Sequence, residues 1–146
     1  MISCTEFIPA YSELFKYIED IDSYEAVKAY WRYISEESTR NCLGKLVEEY
    51  GVEGCWKYWS RTLTEEACDV HIEYDEDNDV FFYDMRRCPS KGHLLDYPHI
   101  TPYHDYCGHC SMLYPPLLKE LGLQCYEDLS GIDHAACYTR YWKEKK

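Results

Sequence analysis

No stretch of this 146-residue chain approaches the roughly 18 consecutive apolar residues of a membrane span. Its first residues, Met1-Ile2-Ser3-Cys4-Thr5-Glu6-Phe7, also lack the basic segment and apolar core of a secretory leader. A soluble, cytoplasmic protein is the expectation. Positive charge is scarce: 15 Lys and Arg stand against 27 Asp and Glu, a formal charge of −12, which disfavours nucleic acid and anionic membrane surfaces as partners. Glycine and proline number only 7 and 6, and no repeat, low-complexity tract or linker interrupts the chain. One domain spanning residues 1–146 follows, long enough to bury a core without metal or disulfides.

What the chain has in quantity is tyrosine, 16 residues, and cysteine, 9. The tyrosines and 4 tryptophans can bury ring area while their polar tips find partners, so such a core can line a pocket as readily as it fills one. Nine thiols would suit a secreted disulfide scaffold, but the odd count and the absent leader favour reduced cysteines. Asp75-Glu76-Asp77-Asn78-Asp79 offers oxygen ligands at alternating positions, yet Val80 stands where a calcium loop needs glycine and Arg86 where it needs glutamate. It is expected to be a solvated turn.

The first half, from about residue 8 to 62, reads as helices. Leu14, Phe15 and Ile18 form a short stripe; Asp22-Ser23-Tyr24-Glu25 supplies a start for a helix bearing Tyr24, Val27, Tyr30, Trp31 and Ile34. A separate third helix is expected after Ser38-Thr39, with Cys42, Leu43, Leu46, Val47 and Tyr50 on one face and Gly51 as its stop. Cys55, Trp56 and Trp59 continue the packing on another. From Ala67 the period changes to alternation: Cys68, Val70, Ile72 and Tyr74 face one way, and a return strand carries Val80, Phe82 or their neighbours. Ser90 to Tyr106 has no period and reads as a loop. Pro115-Pro116 opens a short helix stopped by Gly122, and the tail supplies two strands, Leu123–Tyr126 and Cys137–Trp142, around Ser130-Gly131. The expected architecture is α+β: an N-terminal helical layer packed on a small antiparallel sheet, with hairpin, Cys/His loop and sheet at about 66–142.

Reactive groups concentrate in His104-Asp105-Tyr106-Cys107-Gly108-His109-Cys110, with Cys88-Pro89 before it and Asp133-His134-Ala135-Ala136-Cys137 after it. Cys107 and Cys110, two residues apart, can point to one locus, and Cys88 and His104 would complete a tetrahedral Cys3His zinc site. A thioredoxin-like role wants a strand before the motif and a long helix after it, which Pro115-Pro116 opposes. A nucleophilic thiolate needs a base and an orienting group: His109 or His104 for the first, Asp105 or Asp133 for the second. Cys42, Cys55 and Cys68 lie on apolar faces and read as buried filling, Cys4 as an exposed thiol, His71 and His93 as structural.

Phe81-Phe82-Tyr83-Asp84-Met85-Arg86-Arg87-Cys88, a loop reaching Tyr106-Cys107, a helix, and then Cys137-Tyr138-Thr139-Arg140-Tyr141 together resemble the L-2-amino-thiazoline-4-carboxylic acid hydrolase-like family. The resemblance covers about residues 60 to 142. It implies a cofactor-independent hydrolase opening a cyclic C–N bond, with Cys88, Cys107 and Cys137 at the family's three cysteine positions. Ser111 and Met112 stand where that family places an acid.

The leading expectation is a small-molecule hydrolase for a cyclic amidine- or amide-like bond. In it the Cys107 thiolate attacks, held ionised near neutrality by its helix entrance and neighbouring imidazoles, while His109 or His104 moves the proton and Asp105 orients. Cys88, Cys110, His134 and Cys137 would line the substrate pocket, and no cofactor is used. The alternative is a non-catalytic zinc-binding structural or interaction protein with Cys88, His104, Cys107 and Cys110 as ligands.

Overall fold

The computed structural model describes residues 6–144, so Cys4 lies outside the described residues. Helix α1 (Phe7–Ile21) buries Ser12 and Phe15. Helix α2 (Tyr24–Ile34) starts where Ser23, in extended conformation, accepts the Ala26 N–H on its side chain, and it buries Val27 and Trp31.

No break separates the second helix from the third. The chain stays helical through Ser35–Gly44, wound as a π-helix in which the Lys45 N–H reaches the Arg40 carbonyl, and continues as α3 (Lys45–Tyr50). The wider turn retards the phase of the helix, so Ser35, Thr39 and Leu43, four apart, share the buried side. Cys42 is thereby rotated out and is exposed, contrary to the expectation that it fills the core. Gly51 ends α3 at φ 63°, a conformation that favours glycine. In α4 (Val52–Thr64), Gly54 lets the two helices meet: a Cβ there would lie 2.4 Å from the Leu46 carbonyl oxygen. Trp59 of α4 is buried as expected, whereas Trp56 points outward.

Strands β1 (Asp69–Asp75) and β2 (Val80–Arg87) form the expected hairpin. Its acidic turn is closed locally: Asn78 donates its backbone and side-chain N–H groups to Asp75, and the Tyr74 hydroxyl donates to Asp79 at 2.9 Å. Phe81, Tyr83 and Met85 are the inward set on β2, so the neighbours of Val80 and Phe82 face the core. After β2 the structure places a helix, α5 (Pro89–Leu95), inside the segment expected to be loop. Pro89 at its first turn and the Cys88 cap start it, but seven residues are too few to show a helical period. Helices α6 (Gly108–Leu113) and α7 (Pro115–Glu120) then lead to β3 (Gln124–Asp128), a 3-10 turn at Ile132–His134, and β4 (Cys137–Trp142).

The sheet is antiparallel in the order β1-β2-β4-β3, and the helices pack on it as the α+β pattern requires. Two cores result. One joins α3, α4 and α7 to the sheet around Trp59, Phe81 and Tyr141. The other joins α1 and α2 to Leu94, Tyr103 and Tyr106 around Phe15 and Trp31. Among the described residues no helix is long and apolar enough to cross a membrane.

Candidate functional site

Where the two cores meet lies a partly open cavity of about 290 Å³ lined by Cys88, Cys107, His109, Cys110 and Cys137 among others. The sheet register explains part of this convergence. Met85 of β2 pairs with Cys137 of β4, so three residues further on Cys88 emerges beside it. The Cys88 N–H then donates to the Ala135 carbonyl at 2.7 Å, tying the end of β2 to the segment before β4. Ala135 itself is buried at φ 61°, a left-handed conformation that lets the chain turn back into β4. Helix α6 brings the other two thiols. It is held by the buried Ser35 hydroxyl, which donates to the Leu113 carbonyl at 2.7 Å.

Within α6 the decisive contact is between adjacent residues. The Cys110 Sγ lies 3.3 Å from His109 Nε2, and His109 Nδ1 hydrogen-bonds the Tyr106 carbonyl oxygen. A carbonyl can only accept, so Nδ1 carries the proton and Nε2 presents its lone pair to the Cys110 S–H. The ring is clamped edge-on by Tyr106 at 4.9 Å and Tyr11 at 5.5 Å between ring centres. Burial lowers the His109 pKa to about 4, and burial likewise pushes the Cys110 thiol well above its ordinary value. At neutral pH the pair is thus a neutral thiol donating to a neutral imidazole.

Burial also keeps the other three thiols of the cavity wall, Cys107, Cys137 and Cys88, protonated. Burial raises Cys107 to about 11, only partly opposed by the nearby Lys91 ammonium, which corrects the expectation of a thiolate populated at neutrality. Lying at the start of a helix does not compensate for lost hydration here, because α6 has only six residues. Cys137 is pushed up to about 12 by burial. Cys88 is raised by the same cause, against which backbone N–H groups of α5 act; one of them, from Lys91, reaches its Sγ at 3.4 Å.

Several residues proposed from sequence are not brought to the cavity. His104 turns outward and pairs with Glu19 at 2.8 Å, its ring 4.3 Å from that of Tyr103. Asp105 accepts the Tyr24 hydroxyl on the side of α2, and orientation of His109 falls to the Tyr106 carbonyl instead. His134 and Asp133 are exposed on the 3-10 turn, outside the cavity lining. With His104 at Glu19, the Cys88, His104, Cys107 and Cys110 set is not assembled; among the described residues no three His, Cys, Asp or Glu side chains are placed to share a metal ion. That donor set does not fit zinc. Nor does Cys107 follow a strand, as a thioredoxin-like motif would.

The structure adds residues that sequence reasoning missed. Tyr58, Trp59, Tyr83, Tyr106 and Tyr114 supply aromatic walls, and Glu66, Lys91 and Glu127 are the charged groups of the lining. Glu127, from β3, accepts the Ser111 hydroxyl at 3.2 Å, and burial raises its carboxyl pKa. Its inward position follows from strand alternation between Cys125 and the outward Tyr126, the one signal that could have found it. Comparison with protein-family models, with curated proteins and with solved structures returns no match.

Proposed function

We propose that the chain is a small-molecule hydrolase opening a cyclic C–N bond of the amidine or amide kind, with Cys110 as nucleophile and His109 as its base. The observation that carries this is the Cys110 Sγ–His109 Nε2 contact of 3.3 Å in the wall of a partly open pocket, with the imidazole tautomer set by the Tyr106 carbonyl. The resemblance to the L-2-amino-thiazoline-4-carboxylic acid hydrolase-like family supports the same reaction class. It centres on Cys107; the hydrogen bonding favours its neighbour three residues on.

The pair rests neutral, so proton transfer accompanies attack. As Sγ of Cys110 bonds to the ring carbon, its proton passes to Nε2 of His109; when the C–N bond breaks, the imidazolium returns that proton to the leaving nitrogen. The ring-opened product stays bound to sulfur as a thioester or thioimidate. Water, deprotonated by the same Nε2, then attacks this carbon, and the Cys110 thiol is released with its proton restored. The sum is addition of one water across the C–N bond. Glu127 lines the cavity and accepts N–H groups of the substrate, held in place by the Ser111 hydroxyl that donates to it, and so fills the part of the acid absent from positions 111 and 112. Cys88, Cys107 and Cys137 shape the wall.

Paired substitutions test the assignment. In a screen of small cyclic amides, amidines and thiazolines, Cys110→Ser abolishes turnover of whichever compound is hydrolysed, while Cys107→Ser keeps a measurable rate and both retain the melting temperature. Loss of turnover only in Cys107→Ser returns the nucleophile to Cys107. Retention of full activity in both ends the cysteine mechanism.

A further inference from the structure

The sheet has a second face that the cavity does not use. Val70, Ile72, Phe81, Tyr83, Met85 and Tyr141 turn toward the helices and join the core. On the opposite face none of the outward residues of the four strands is buried, since α4 and α7, which pack on the sheet, lie on the core side. One bare face is ordinary for an antiparallel sheet, but it is then expected to be polar. Here a band of rings crosses it from edge to edge: His71 of β1 lies 5.7 Å from Phe82 of β2, Phe82 lies 5.8 Å from Tyr138 of β4, and Tyr138 lies 6.4 Å from Tyr126 of β3. Beside the band, Arg140 stacks over Trp142 at 4.7 Å. Both charge signs frame it, with Asp69, Glu73, Asp84 and Asp128 on the same face as Arg86 and Arg140.

We propose that this aromatic face is the contact surface for a second copy of the chain, packed sheet to sheet about a twofold axis. A twofold contact brings residue i against j and j against i, so a face carrying both signs can neutralise itself: Arg140 over Asp84 in one half is matched by Asp84 over Arg140 in the other. Nucleic acid, the other partner of open aromatic sheets, is opposed by the net charge of −12. Helix α1 exposes a second apolar stripe, Phe7, Tyr17 and Ile21, beside which Glu13 pairs with Lys16 at 2.7 Å; it is the competing surface, and substitutions on the two faces distinguish them.

The size of the face sets the strength expected. Four strands about 4.8 Å apart and about six residues long at roughly 3.3 Å each give on the order of 400 Å² in plan. Two such faces come to about 800 Å² in plan, below the roughly 1,200 Å² at the low end of stable specific interfaces and in the range of weak, transient contacts. A weak, reversible dimer is expected. This inference is independent of the chemistry assigned to the cavity.

Sedimentation equilibrium of the full chain from about 1 to about 500 μM tests it. The natural sequence should pass from monomer to dimer across that range, and Phe82→Glu with Tyr138→Glu should remain monomeric throughout while keeping its circular dichroism and melting temperature. Should the double variant fail to fold, the milder Phe82→Ser is expected to weaken the dimer at least about tenfold. Tyr17→Glu with Ile21→Glu, on α1, should dimerise like the natural sequence. A monomer at all concentrations, a dimer indifferent to the sheet substitutions, or a dimer lost only in the α1 variant each overturns the proposal.

Discussion

The two cores of this molecule are built from similar aromatic residues in opposite ways. In the sheet core Trp59 lies nearly parallel over the neighbouring rings of Phe81 and Tyr141, at 5.5 and 5.4 Å with interplanar angles of 14° and 13°. In the helical core Phe15 is met by ring edges: Trp31 at 5.2 Å and 84°, Tyr103 at 5.7 Å and 67°. The difference follows from the backbones. Neighbouring strands present side chains in register, so a helix residue above them finds parallel rings, whereas residues on α1, α2 and an irregular segment approach from several directions. The helical core also depends on polar ties, among them the Tyr103 N–H donating to the buried Ser12 hydroxyl at 2.8 Å. The candidate site lies between the two. Its cysteines sit over the sheet core, while the His109 ring that contacts Cys110 is held by Tyr11, Phe15 and Tyr106 of the other.

Removing the centre of each core breaks the comparison most severely. Trp59→Ala should cost about 3–5 kcal/mol, because a large buried ring is lost and the surrounding strands cannot collapse into the space. Phe15→Ala should cost about 3 kcal/mol and, in addition, slow turnover, since the Phe15 ring lies 5.9 Å from that of His109. Urea unfolding followed by both tryptophan fluorescence and circular dichroism checks both. Coincident transitions mean the cores act as one cooperative unit, and a separate early transition in Phe15→Ala means they do not.

A smaller effect isolates the polar tie. Ser12→Ala leaves the buried Tyr103 N–H without its acceptor and should destabilise by roughly 1–3 kcal/mol, with faster amide exchange at Tyr103 than in the natural chain. Unchanged exchange there would show that the tie is dispensable.

A further effect appears only in acid. His109 titrates near 4 in the folded protein and near its ordinary 6.5 when unfolded, so between those values the unfolded chain binds more protons. Its contribution to stability is therefore present above about 6.5 and declines as pH falls toward 4. His109→Gln should remove that part of the slope of stability against pH. Turnover, which needs the free Nε2 lone pair, should stay level down to about pH 5 and fall below it.

Much of the frame was legible from local pattern. Ser23 and Gly51 mark real helix boundaries, and the alternation at Val70, Ile72 and Tyr74 marks a real inward strand face. The places where reading failed share a cause. Cys42 was misplaced because a π-helix changes the angular step on which a helical face is drawn, and α5 was missed because it is shorter than two helical turns. At the site, the spacing of Cys107 and Cys110 and the family resemblance at Cys88, Cys107 and Cys137 pointed to the four thiols that line the cavity. The assignment of partners was not foreseen: His104 and His109 flank Cys107 with equal claim in sequence, and only the fold sends one to Glu19 and the other into the cavity wall.

Residue types and their local periods thus determined the α+β class, the hairpin and the segments from which reactive groups would come, because these depend on backbone preferences and on which face of an element is apolar. Which thiol meets which base, which carboxylate enters the cavity and whether a thiol is ionised were decided only in the tertiary structure. Those outcomes depend on distances across chain segments and on exclusion of water, and neither is a property of neighbours in sequence.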